Sequence, residues 1–340
     1  MQSLSIADAK LLVKHVAVRL NEPVMLWGGP GTAKTMGMAQ VAEEEDMLLC
    51  DVRLGQYDSV DLRGIPEPDR ATRLTTWFPA STLPFVGNAA FPDDRLILLT
   101  FDEINAGTQS VLGSAYQIIQ ERRLGETLLK PNVRIVAMGN RETDRGVTNR
   151  MPLPLANRFT HAEVVTDVDV WCQWAQSAGL PAVGIAFYQF RKPLLNTFDP
   201  SKPDKTFGTP RTTVKMLNYY TADMPAHIKQ AAMAGAVGDG IAAEFWGFVG
   251  IWQKMIPLSQ IIKDPHGTSV PEDLSMCYAV AVNISGSLTR KNAAPLCAYL
   301  SRLSPEFEVL AWQLAMKRDP DIHKASEFTA HAKRLKAVYQ

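Results

Sequence analysis

Short, nearly unbroken apolar runs alternate in the first half of the chain with segments whose apolar residues recur every three or four positions. Val24-Met25-Leu26-Trp27, Met47-Leu48-Leu49-Cys50-Asp51-Val52, Leu96-Ile97-Leu98-Leu99-Thr100-Phe101, Val133-Arg134-Ile135-Val136-Ala137-Met138 and His161 to Val165 have the length and composition of buried strands. Ser5 to Leu20 carries Leu11, Leu12, Val16 and Val18 at helical spacing, a capping serine near its start and Asn21-Glu22-Pro23 as a stop, so it reads as an amphipathic helix. Helices are likewise expected from about Met36 to Glu45 and from Gly107 to Gln120. Strands alternating with helices predict a parallel sheet covered by helices on both faces.

Two stretches interrupt that alternation. From Arg63 to Trp77, turn residues separate two β-type ends and predict a hairpin, and Arg122 to Leu128 predicts a second. Long insertions in compact domains tend to carry function, so the hairpins read either as substrate-facing or intersubunit elements or as plain surface ribbons. Past Asp167 the strand pattern fades, and helices are expected at Trp171 to Ala178, Ala182 to Leu195, Thr212 to Ala222, Ala226 to Val237, Ala242 to Ile256 and beyond Pro271. Thr209-Pro210-Arg211 stands where a helix begins, because proline suits the first turn. Trp171, Trp174, Trp246 and Trp252 at helical spacing read as packing residues.

Candidate chemistry starts directly after the first strand, at Gly28-Gly29-Pro30-Gly31-Thr32-Ala33-Lys34-Thr35, with Met36 opening the helix. A strand that ends in a glycine-rich turn and opens a helix aims backbone N–H groups at one spot, where they and the helix N-terminus stabilise phosphate. Lys34 would reach the β- and γ-phosphates, and Thr35 would offer its hydroxyl to Mg²⁺. Ala33 takes the place of the usual last glycine, which suits a negative φ and would be resisted by a left-handed backbone. A glycine-rich turn that binds nothing would look the same by itself. The strand ending at Phe101 narrows the choice, because Asp102 and Glu103 follow it. At the carboxyl end of a parallel strand Asp102 can hold Mg²⁺ and Glu103 can polarise the attacking water.

Composition excludes rather than identifies. Lys plus Arg and Asp plus Glu both number 35, so no bulk field draws the chain to nucleic acid or anionic membrane. The cysteines at 50, 172, 277 and 297 lack metal-type spacing and read as structural thiols of a reduced cytoplasmic protein. No signal peptide or membrane span is expected.

These residues resemble the MoxR branch of the AAA+ ATPases, the superclade with a helix-2 insert. Gly28 to Thr35 resembles its Walker A motif, and Phe101-Asp102-Glu103-Ile104-Asn105 its Walker B motif with a trailing asparagine. Glu121-Arg122-Arg123 resembles the lead into the hairpin before sensor 1, where Asn140 in Ala137-Met138-Gly139-Asn140-Arg141 falls at the polar sensor position. Leu155-Ala156-Asn157-Arg158-Phe159 resembles the arginine-finger segment, and Thr209-Pro210-Arg211 resembles sensor 2. The insertion at 61 to 84 is similar to the helix-2 insert.

The resemblance implies an α/β P-loop NTPase sheet with hairpin insertions over residues 1–166, a helical lid carrying sensor 2 over 167–224 and a helical C-terminal extension over 225–340. It implies Mg²⁺-dependent ATP hydrolysis, with Glu103, Asn140, Arg158 and Arg211 in catalysis and Thr35 and Asp102 on the metal. Arg158 would act across a subunit boundary in a ring, by resemblance a hexamer, so that each site is complete only in the assembly. The work done would be remodelling of a partner protein carrying a von Willebrand factor A domain; no Asp-x-Ser-x-Ser motif occurs in this chain, so that partner is separate. Blander roles stay open: a helix-end arginine at Arg158, a salt bridge at Arg211, a turn cap at Asn140. Arg141, Arg145 and Arg150 form a basic cluster that reads either as a contact to a neighbouring nucleotide site or as a solvated loop. Two other classes remain, a nucleic-acid motor using Arg63, Arg70 and Arg73 of the first hairpin, and an ATP-gated scaffold with little turnover.

Overall fold

The computed structural model describes residues 1–71, 73–144, 149 and 151–334, and these divide into two compact units. The first unit holds residues 1–170 with 196–205 and 209–211. Its elements are β1 (Ser3–Leu4), α1 (Ile6–Val13), β2 (Val24–Trp27), α2 (Lys34–Glu44), β3 (Leu48–Arg53), α3 (Ser59–Arg63), β4 (Ile65–Asp69), β5 (Leu74–Phe78), β6 (Ile97–Asp102), α4 (Gln109–Glu121), β7 (Arg123–Leu124), β8 (Thr127–Leu128), β9 (Val133–Gly139), α5 (Leu153–Ala156) and β10 (Thr160–Val164).

Six strands form one parallel sheet in the order β1-β10-β2-β9-β6-β3. Successive side chains on a strand point to opposite faces, and here both faces are apolar. Val24, Leu26, Leu98, Val136 and Met138 pack with Ala9, Val13, Met38 and Val41 of α1 and α2. On the opposite face Met25, Ile97, Leu99, Phe101, Ile135 and Ala137 pack with Val111, Leu112, Ala115 and Ile118 of α4. β2 lies between β10 and β9, so the glycine-rich loop leaves from the middle of the sheet, and β6 lies on the far side of β9. This is the α/β P-loop arrangement expected from the sequence. Both expected hairpins form, β4 against β5 and β7 against β8.

Helix boundaries throughout shift by a few residues from the pattern-based reading, and the expected Ala182 to Leu195 helix ends at Phe190 before a 3₁₀ turn at Lys192–Leu195. In the first unit, three helix boundaries and one strand differ for physical reasons. The helix from Ser5 is not continuous to Leu20. It is α-helical to Val13 and π-helical over Lys14–Arg19, and the wider turn brings the adjacent Ala17 and Val18 both into the core while Leu11 faces out. α2 starts at Lys34 rather than Met36, because Ala33 is its N-terminal boundary residue. α4 starts at Gln109 because Thr108 caps it, accepting from the Val111 N–H, and Ile104–Ala106 form a separate 3₁₀ turn. β1, two residues long, is too short to leave a periodic signal.

The second unit holds residues 171–195, 206–208 and 212–340, with no strand among the described residues. Its helices belong to the series α6 (Val168–Ser177), α7 (Ala182–Phe190), α8 (Pro210–Thr221), α9 (Ala226–Val237), α10 (Asp239–Gln253), α11 (Leu258–Lys263), α12 (Leu274–Ser287), α13 (Ala293–Leu300), α14 (Pro305–Arg318) and α15 (Ser326–Arg334). Aromatic side chains knit it together. Trp171 lies edge-on to Tyr188 with ring centres 5.4 Å apart, and Phe187 packs against Phe245 and Phe248. Trp312 is fully buried in a cluster with Ala281, Ile284 and Leu296.

Candidate functional site

The loop after β2 is held open by two left-handed residues. Gly31 has φ +74°, and a β-carbon there would lie 2.6 Å from the Thr209 hydroxyl, so only glycine fits. Ala33 has φ 67°, a conformation that costs an L-residue about 1–2 kcal/mol. The backbone does at Ala33 what the sequence would resist, which marks the loop as a place where geometry outranks local comfort.

Lys34 opens α2 with its side chain buried, its Nζ donating to the carbonyls of Gly28 at 2.7 Å and Gly29 at 3.0 Å. Burial pushes its ammonium down to about 8; Asp102 and Asp144 counter this, while Arg211 and Arg141 add to it. Thr32 closes the loop on itself, its hydroxyl donating to the Gly29 carbonyl at 2.9 Å. The Thr35 hydroxyl, next after Lys34, donates to Asp102 Oδ2 at 2.7 Å. That bond joins the start of α2 to the end of β6. Hydroxyl and carboxylate oxygens are the hard donors that Mg²⁺ prefers, so the pair fits the group implied for it.

Glu103 follows in a left-handed conformation, φ 51°, with its N–H on Asp102 Oδ1 at 2.9 Å and its carboxylate exposed. Asp102 turns toward Thr35, while Glu103 is exposed and lines the same cleft. Asn140 leaves the end of β9 next door, and its carbonyl is fixed by the Asn105 carboxamide at 2.8 Å. Pro30, Gly31, Thr32, Ala33, Lys34, Thr35, Asp102, Glu103, Gly139, Asn140 and Arg211 line one cleft.

No protein-family model matches the sequence. Solved structures similar to this chain include a Cytophaga hutchinsonii protein whose ATPase activity is inferred, at 13% identity over 90% of this chain and 79% of that one, TM-score 0.38. NtrX from Brucella abortus in complex with ADP is similar at 13% identity over 98% of this chain and 68% of that one, TM-score 0.40. A lysine-to-arginine mutant of RuvB from Thermotoga maritima is similar at 15% identity over 76% and 74% of the two chains, TM-score 0.37. At such values the likeness adds nothing to what the sheet and the loop show by themselves.

The remaining expected residues fall outside the cleft. Gly28 and Gly29 do not line it, and their carbonyls accept from Lys34 Nζ. Met36 is 53% exposed and does not line it. Arg158 is exposed on the turn after α5, makes no ion pair among the described residues and is not a lining residue either. Arg141 is tied within the chain, to Asp144 at 2.9 Å and Glu163 at 3.0 Å, while Arg145 and Arg150 lie outside the described residues. All four cysteines are free thiols, and no cluster of metal-ligating side chains occurs among the described residues. No described helix is long and apolar enough to cross a membrane. Sequence reasoning gave no separate role to Thr209, which packs on Gly31, or to Asp144, which holds Arg141; nothing in one sequence separates them from other threonines and aspartates.

Proposed function

We propose that this chain is a Mg²⁺-dependent ATP hydrolase of the MoxR branch of the AAA+ ATPases, working in the cytoplasm as a ring of identical subunits, six by resemblance. The observation that carries the reading is the convergence of Lys34, Thr35, Asp102, Glu103, Asn140 and Arg211 on one cleft while Arg158 stands exposed outside it. Phosphoryl transfer is catalysed mainly by positioning and charge, and the cleft supplies both. Lys34 exchanges the Gly28 and Gly29 carbonyls for the phosphate oxygens. Thr35 and Asp102 hold Mg²⁺, which supplies neutralisation of phosphate charge when bound. Glu103 orients and deprotonates the attacking water, Asn140 holds that water toward the γ-phosphate, and Arg211 steadies the phosphate from the cleft wall. Arg158 enters the site of the neighbouring subunit and stabilises charge in the transition state, an effect worth about 10³ to 10⁵ in rate.

The energy would drive remodelling of a separate protein with a von Willebrand factor A domain, with 167–224 acting as lid and 225–340 as docking region. ATP hydrolysis measured against protein concentration, with sedimentation in ATP, tests the core of this. A specific rate that rises with assembly and is lost in both Glu103→Gln and Arg158→Ala supports it. Concentration-independent rates with Arg158→Ala fully active would falsify it.

A nucleic-acid motor is kept as a second reading for one reason, the exposed Arg63, Arg70 and Arg73 on and beside the first hairpin. Salt-dependent retention of single or double strands by the wild type, lost when the three are changed to Ala, would favour that reading.

A further inference from the structure

We propose that His161 is a positioning residue that holds the Arg158 turn in register with the strand feeding the phosphate loop. The inference rests on the reading of Arg158 given above and adds the device that aims it. Trp27 is the last residue of β2, next to Gly28, and its indole Nε1 donates to His161 Nδ1 at 2.9 Å. Indole N–H is a donor only, so Nδ1 must accept, and the ring proton belongs on Nε2. Nε2 faces the Ala156 carbonyl at 2.7 Å, which can only accept. One tautomer of neutral histidine therefore satisfies both bonds, and the imidazole becomes a rigid link from Trp27 to Ala156.

Further contacts stiffen that link. The indole and imidazole planes are 6° from parallel with centres 6.1 Å apart, and Phe159 meets the imidazole edge-on. The Ala156 carbonyl also receives the Phe159 N–H at 3.2 Å, and the Arg158 N–H bonds Leu155 O at 3.0 Å. Buried Leu155 and Phe159 bracket the turn, so exposed Arg158 sits on a turn whose base is fixed through His161 to β2. A nucleotide-dependent shift of the loop after Trp27 would then reach Arg158 through one side chain.

Mixed rings test this. Glu103→Gln has a dead site and an intact arginine; Arg158→Ala has the reverse. In random head-to-tail assemblies of equal amounts, about one interface in four pairs the intact halves, so about a quarter of the wild-type rate returns. His161→Phe keeps an aromatic ring and loses both bonds. It is expected to lose at least tenfold in kcat alone, to bind ATP within about twofold of wild type, and to regain activity with Glu103→Gln as Arg158→Ala does. Trp27→Phe, which breaks the same link from the other end, is expected to follow it with a smaller loss, and serves if His161→Phe does not fold. Full activity of both variants alone overturns the proposal. So does regain by Arg158→Ala but not by the His161 and Trp27 variants, which would assign the link to its own subunit's site. Regain by none of them overturns action across the boundary, and the role of His161 with it.

Discussion

Asn105 occupies the space that a side chain on Gly139 would need, its Oδ1 lying 2.8 Å from where that β-carbon would stand. Met25 Cε closes the other side at 2.9 Å. The last residue of β9 is thus small because the loop after Glu103 leans on it, and the same Asn105 amide holds the Asn140 carbonyl. Gly139→Ala is expected to cost about 1–3 kcal/mol in denaturant unfolding, as overpacking does. Asn105→Ala makes room for it, so the double variant should be less destabilised than the sum of the two single ones. Strict additivity would disconnect the residues.

Ala33 carries a conformational penalty that glycine would not. Its left-handed φ of 67° costs about 1–2 kcal/mol, against about 0.5–1 kcal/mol for the extra freedom glycine gains on unfolding. Ala33→Gly should therefore raise the unfolding free energy by roughly 0.5–1 kcal/mol. A loss of stability would mean that the methyl group has packing partners that outweigh the strain.

Thr35→Val keeps the shape of the side chain and removes the donor to Asp102, 2.7 Å away and nearly buried. Leaving that carboxylate short of a partner is expected to cost about 1.5–3 kcal/mol in melting experiments. Hydrolysis should need far more Mg²⁺ for half-maximal rate, while Thr35→Ser should stay near wild type on both counts. Equal behaviour of Val and Ser would remove the hydroxyl from the proposed metal site.

Burial pushes the Cys50 thiol up to about 12, and the half-buried Cys297 thiol also to about 12. Below the ordinary thiol range the protonated forms predominate in folded and unfolded chains alike, and no stability is lost. Above that range, and up to about pH 12, the unfolded chain releases these protons first, so the folded state holds more and stability falls as pH rises. Urea unfolding measured at about pH 8 and about pH 10 should show the drop, and Cys50→Ala should flatten part of it. In native protein at about pH 8 both thiols should resist alkylation, because the thiolate is the reactive form.

The sheet was readable because its strands are short apolar runs of uniform character, and a run such as Leu96 to Phe101 has few other ways to bury itself. The loop and the carboxylates were readable because each motif is contiguous in sequence. The left-handed Ala33, the π-turn after Val13 and the links made by Asn105 and His161 were not. Trp27 and His161 are 134 positions apart, and Asn105 and Asn140 are 35 apart, so their pairing is a product of strand order and leaves no local pattern.

The hairpin of β4 and β5 leaves Ile65, Leu74, Trp77 and Phe78 more than two-fifths exposed, with Arg63 over the Trp77 ring at 5.3 Å. A ribbon so apolar would ordinarily recruit further strands. β4 pairs Pro66 with Trp77 and Pro68 with Thr75, and since residues two apart point their N–H the same way, these prolines occupy the outward positions of the ladder. The outer edge of β4 has no donors at those two places with which to template another chain. The exposed apolar ribbon is thereby blunted against strand addition along its β4 edge.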